Sequence, residues 1–80
     1  MAYLKADGFD GAIIGVDANV ERIVYDKYKM IEILISQGSD HDDALEHLEY
    51  NVWCAYVGEN TPIYVDVMGI KEINDLWFWQ

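Results

Sequence analysis

Along this chain the spacing of apolar residues switches between a period of two and a period near 3.6, and each switch marks an element. Ala12-Ile13-Ile14-Gly15-Val16 is a short, partly β-branched apolar run that follows the turn-forming Gly8-Phe9-Asp10-Gly11, and Arg22-Ile23-Val24-Tyr25 is a second such run. Both read as strands, and Asp17-Ala18-Asn19 breaks the chain between them. The pair predicts an antiparallel hairpin with its loop around residues 17–21, marginal on its own and in need of a cover for one face.

Asp26 can cap a helix through residues 27–37, with Met30 or Ile31, Leu34 and Ile35 turned inward and Gly38 as its stop. The alternation of Ile31, Ile33 and Ile35 also fits a strand, but the cap at one end and the glycine at the other favour a helix. A second helix follows directly over residues 39–58, opened by Ser39 or Asp40 as cap and closed by Gly58. Leu45, Leu48, Val52 and Ala55 or Tyr56 form its inward stripe, which leaves Asp42, Asp43, Glu46 and Glu49 in water.

Turn chemistry at Glu59-Asn60-Thr61-Pro62 leads into residues 63–68, where Ile63, Val65 and Val67 alternate with Tyr64, Asp66 and Met68 as in a strand with one buried side. Ile70, Ile73 and Leu76 or Trp77 then recur at helical spacing, predicting a short terminal helix. The expected fold is α+β: a small antiparallel sheet in β-β-α-α-β order covered by a helix pair, with residues 70–80 as an aromatic terminal helix of a single domain over residues 1–80.

Eighty residues suffice for one small core, and 52% hydrophobic with 14% aromatic residues is too apolar for a disordered acidic tail. Fifteen acidic residues against five basic ones give a formal net charge of −10. Lys5, Arg22, Lys27, Lys29 and Lys71 build no basic run, which speaks against direct binding to nucleic acid and for a basic protein as partner. The single cysteine, Cys54, fits a reducing cytoplasmic setting and reads as a small, half-buried hydrophobe. The amino terminus lacks the pattern of a secretion signal and no stretch has the length of a membrane span, so a soluble, intracellular protein without membrane contact is expected.

Chemistry-bearing patterns are sparse. His41, Asp43, Glu46 and His47 suggest a divalent metal, but His41 and His47 are six residues apart and fall on different sides of a helix. No metal or cofactor is expected. Gly8, Gly11 and Gly15 do not match a phosphate-binding loop, and no serine stands in a nucleophile motif, so no catalytic residue is assigned and an enzyme is not expected. Two surfaces remain as binding candidates: the acidic group Asp40, Asp42, Asp43, Glu46 and Glu49, and the aromatic group Trp77, Phe78 and Trp79. The aromatic group serves tail packing or a homo-oligomer contact more readily than a dedicated partner site.

Gly38, His41-Asp42-Asp43-Ala44, Glu49-Tyr50-Asn51, Ala55-Tyr56-Val57-Gly58-Glu59 and Thr61-Pro62-Ile63-Tyr64-Val65 together resemble a group of small, uncharacterised bacteriophage-encoded proteins. The start Gly8-Phe9-Asp10-Gly11-Ala12-Ile13-Ile14-Gly15-Val16 fits the same group, so the resemblance spans most of the chain ahead of the Trp-rich end. It implies a place in the host cell cytoplasm and an accessory role, but carries no assigned site residues. The function expected from charge and resemblance is non-enzymatic: occupation of a host protein with a basic surface, such as a defence or nucleic-acid-handling factor, by an acidic face. The alternative is a small-ligand binding or sequestering protein with an aromatic pocket at an oligomer interface.

Overall fold

The computed structural model describes residues 3–77, and of Leu76 and Trp77 the backbone alone. Asp10–Ala12 form a single 3₁₀ turn that buries Ala12 and follows the buried Phe9. Strand β1 (Ile13–Asp17) then pairs antiparallel with β2 (Arg22–Asp26), with Ile13 opposite Tyr25 and Asp17 opposite Arg22. A register shift between Ile13 and Gly15 sets Ile14 apart from the pairing, and Ile14 is exposed. On β2 the alternation is kept: Ile23 and Tyr25 are buried, whereas Arg22 and Val24 are half-buried.

Helix α1 (Lys27–Ser36) starts without a linker after β2. The carboxylate of Asp26 accepts the backbone N–H of Tyr28 at 2.9 Å and of Lys29 at 3.3 Å, satisfying two donors that the first turn leaves free. Met30 and Ile31 are buried and Leu34 is half-buried as expected, but Ile33 packs on the core in place of the exposed Ile35. Alternate isoleucines therefore lie on different helical faces instead of one strand face. The helix closes in a Schellman arrangement: Ser39 N–H donates to the carbonyl of Leu34 at 3.1 Å and Gly38 N–H to that of Ile35 at 3.0 Å. Gly38 takes φ 110°, where a side chain would be strained.

Helix α2 (His41–Asn51) is capped by Asp40, not Ser39, through a 2.8 Å bond from the N–H of Asp43. It buries Ala44 and Leu48 and half-buries Leu45 and Val52, while Ala55 and Tyr56 are exposed. The helix ends at Asn51, seven residues short of the expected stop at Gly58. Both Val52 N–H and Trp53 N–H donate to the carbonyl of Leu48, at 3.0 and 2.7 Å, which opens the last turn and directs the chain away from the helix axis. Trp53 thereby reaches α1, where its indole N–H donates to Met30 Sδ at 3.5 Å. This tertiary contact overrides a helical pattern that is locally sound through residue 57.

Gly58 has its positive φ, 120°, in a separate turn. There the Thr61 hydroxyl donates to the carbonyl of Gly58 at 2.6 Å and accepts the N–H of Val57 at 2.9 Å. The side-chain amide of Asn60 donates to the carbonyls of Val20 and Glu21, and Arg22 Nε donates to the carbonyl of Thr61. These bonds fasten the loop to the hairpin end of β2. Strand β3 (Ile63–Val65) therefore leaves from the end where β2 begins and runs parallel to it, with Val24, Tyr25 and Asp26 opposite Ile63, Tyr64 and Val65.

The α+β class and the β-β-α-α-β order hold, and the sheet is mixed, in the order β1-β2-β3, where an antiparallel one was expected. Two helices and the loop of residues 52–62 supply the crossover that a parallel pair needs. The strand is also shorter than residues 63–68, since Asp66, Val67 and Met68 are exposed and outside the ladder. Helix α3 (Ile70–Trp77) follows, with Ile70 exposed and Glu72 accepting the N–H of Gly69 at 3.4 Å.

The core lies between the sheet and the α1–α2 pair: Phe9, Ala12, Ile23, Tyr25, Met30, Ile31, Ala44 and Leu48. Burying a side chain such as Leu48 or Met30 contributes roughly 1.5–3 kcal/mol each. Their positions fix the azimuth of α2, and hence which of its residues face water.

Candidate functional site: the outer face of helix α2

Ala44 and Leu48 hold α2 to the core from one side, so the opposite side is committed to solvent. Asp42, Glu46 and Glu49 recur there at i, i+4 and i+7 and share one sector of the helix, with Asp43 about 100° round from Asp42. All four are exposed. Among the described residues the ion pairs are Lys5–Asp10 at 3.1 Å and His41–Asp42 at 3.7 Å, the second holding only with a protonated imidazole. Neither a lysine nor an arginine is thus seated on the α2 carboxylates among the described residues. Asp40 is exposed as well, but one of its oxygens is engaged by the helix cap.

At its carboxy-terminal end the acidic sector runs into a groove of about 520 Å3, lined by Lys27, Leu45, Glu49, Tyr50, Trp53 and Cys54. The early end of α2 creates it, because the open last turn lays Trp53 against α1. The ammonium of Lys27 stands 4.3 Å from the centroid of the Trp53 ring, a cation–π contact. Tyr50 is 79% exposed, which is high for an aromatic side chain beside a groove. Cys54 is exposed, where sequence suggested half-burial, and its thiol donates to the carbonyl of Glu49 at 2.7 Å. It occupies one of the acceptors that the helix end leaves open.

The structure thus brings Asp42, Asp43, Glu46 and Glu49 onto one helix and joins Glu49 to an aromatic groove that the pattern of residues did not locate. Tyr50 follows Glu49 directly in the chain, but Trp53 and Lys27 are 26 residues apart and meet only through the packing of the chain after α2 on α1. The other candidate surface is different. Phe78 and Trp79 lie outside the described residues, as does the side chain of Trp77, the last residue of α3.

His41, Asp43, Glu46 and His47 do not assemble into a metal site: among the described residues no group of three or more His, Cys, Asp or Glu side chains is placed to hold an ion. The contact of His47 is instead with Asn51, 3.4 Å away one helical turn on. No described helix is long and apolar enough to cross a membrane. Comparison of the chain with models of known protein families, with curated proteins and with solved structures found no match.

Proposed function

We propose that this chain is a phage-encoded accessory protein, without catalytic activity of its own, that modulates a host protein by covering a basic surface with the outer face of α2. The observation that carries this reading is the set Asp42, Asp43, Glu46 and Glu49, displayed on one helix with no lysine or arginine paired to it among the described residues. Like charges held together raise the local potential, and a net charge of −10 extends it, which speeds encounter with a cationic partner and repels a nucleic-acid backbone. A host defence or nucleic-acid-handling factor, whose groove is built for phosphates, has the complementary chemistry.

The test is capture from host lysate with tagged protein, identification of the bound species, and measurement of its affinity at rising salt. The Asp42→Asn, Asp43→Asn, Glu46→Gln, Glu49→Gln variant serves as the control. Affinity is expected to drop roughly tenfold between low and physiological salt and to be lost in the variant. Binding indifferent to salt and to all four substitutions overturns the reading.

A second reading, a small-ligand binding or sequestering protein, draws on a cleft of about 230 Å3 whose walls include Leu4, Phe9, Val52, Val57, Pro62 and Tyr64. A thermal-shift screen of apolar and aromatic metabolites decides it, with saturable stabilisation as the supporting result.

A further inference from the structure

The groove at the end of α2 combines features that point to one kind of occupant. Its Trp53 ring already carries a cation, the ammonium of Lys27 at 4.3 Å from the ring centroid. The indole is fixed at its edge by the bond to Met30 Sδ, so its face is held in place instead of adapting to whatever arrives. Beside it stand a carboxylate, Glu49, and an exposed phenol ring, Tyr50. Glu49 is also the last member of the Asp42, Glu46, Glu49 sector, so a chain lying along the acidic face of α2 meets the groove at its end.

We propose that this groove seats an arginine side chain of the basic partner, its guanidinium stacked on Trp53 and Tyr50, paired with Glu49, and displacing the Lys27 ammonium. The inference rests on the acidic-face reading and specifies how that face recognises its partner. Arginine is favoured over lysine for a physical reason. A lysine from the partner exchanges one ammonium for another on the Trp53 face and gains little by it. A guanidinium is planar, less strongly hydrated and able to stack while donating a fork of hydrogen bonds to a carboxylate. An anionic occupant attracted to Lys27 meets the Glu49 carboxylate and the net charge of −10.

The experiment titrates the full chain with two fluorescently labelled peptides of equal length and charge, an oligolysine and the same peptide with its central lysines replaced by arginine, followed by fluorescence anisotropy. The arginine peptide is expected to bind roughly fivefold tighter. That preference disappears in Tyr50→Ala and in Glu49→Gln, both at exposed positions whose fold is checked by circular dichroism. Asp42→Asn with Glu46→Gln weakens both peptides equally and keeps their ratio. Lys27→Gln tightens both peptides, because the competing ammonium is gone, and keeps the arginine preference. Equal affinities, or a preference that survives Tyr50→Ala, overturn the arginine seat and leave the acidic-face reading standing. Binding of neither peptide at low salt overturns both.

Discussion

Tyr25 and Tyr64 are register partners across the parallel pair β2–β3, and their rings lie 5.6 Å apart between centroids at a tilt of 33°. Tyr25 is fully buried and Tyr64 half-buried, so this pair closes the side of the core where β3 joins the sheet. Burial, and then the charge that an ionised Tyr25 places beside it, holds the Tyr64 hydroxyl above its ordinary value of 10.0.

That shift has a definite sign. The folded chain releases the Tyr64 proton less readily than the unfolded chain, so this group's contribution to stability is fully present below pH 10 and is lost as pH rises through the raised value. Urea denaturation from about pH 8 to pH 11 should show stability falling on the alkaline limb, and Tyr64→Phe should flatten that limb while leaving the neutral plateau within about 1 kcal/mol. An unchanged alkaline slope in Tyr64→Phe would place the loss elsewhere.

The hydroxyl of Tyr25 accepts the backbone N–H of Ala6 at 2.7 Å and ties the amino-terminal segment to the core. Tyr25→Phe keeps the ring and removes the acceptor, at a cost of about 1 kcal/mol in denaturant midpoint measurements. Hydrogen exchange at the Ala6 amide should accelerate in the same variant, whereas the amides of β2 should change little.

Asp40 belongs both to the acidic group and to the cap of α2, and the two roles separate by mutation. Asp40→Ala should lower stability by about 1 kcal/mol in thermal or chemical unfolding, while Asp40→Asn, which removes the charge but keeps the acceptor, should recover most of it. Partner binding that tracks stability through this pair assigns Asp40 to the cap alone. Binding lost equally in both variants assigns its charge to the interface.

Gly38 sits at φ 110° with no atom within 4 Å of where a Cβ would stand. Gly38→Ala should therefore cost about 1–2 kcal/mol through backbone strain alone, with the core unaltered, and denaturation together with circular dichroism would check both halves of that statement. A neutral substitution would mean that the α1–α2 turn relaxes at little cost.

Local chemistry was enough for elements whose start and stop signals lie within a few residues of each other. Asp26 and Gly38 bracket α1, the break after Val16 sets the hairpin, and the separation of Ala44 and Leu48 from Asp42, Glu46 and Glu49 follows from helical periodicity. The candidate acidic face was legible for that reason. Its aromatic groove was not, because Trp53 looked like one more residue of a helix running to Gly58.

The α+β class, the order of elements and the charge of the outer helix face can be read along the chain, since each depends on interactions between near neighbours. Where α2 stops, which way β3 runs and which residues meet around Trp53 were settled by packing between distant segments. The difference is one of range: the Leu48 carbonyl shared by two amides, the Met30 sulfur at the edge of the indole and the Arg22 and Asn60 bonds across the loop compete with local preference. Their strength depends on partners that are brought close only once the core has formed.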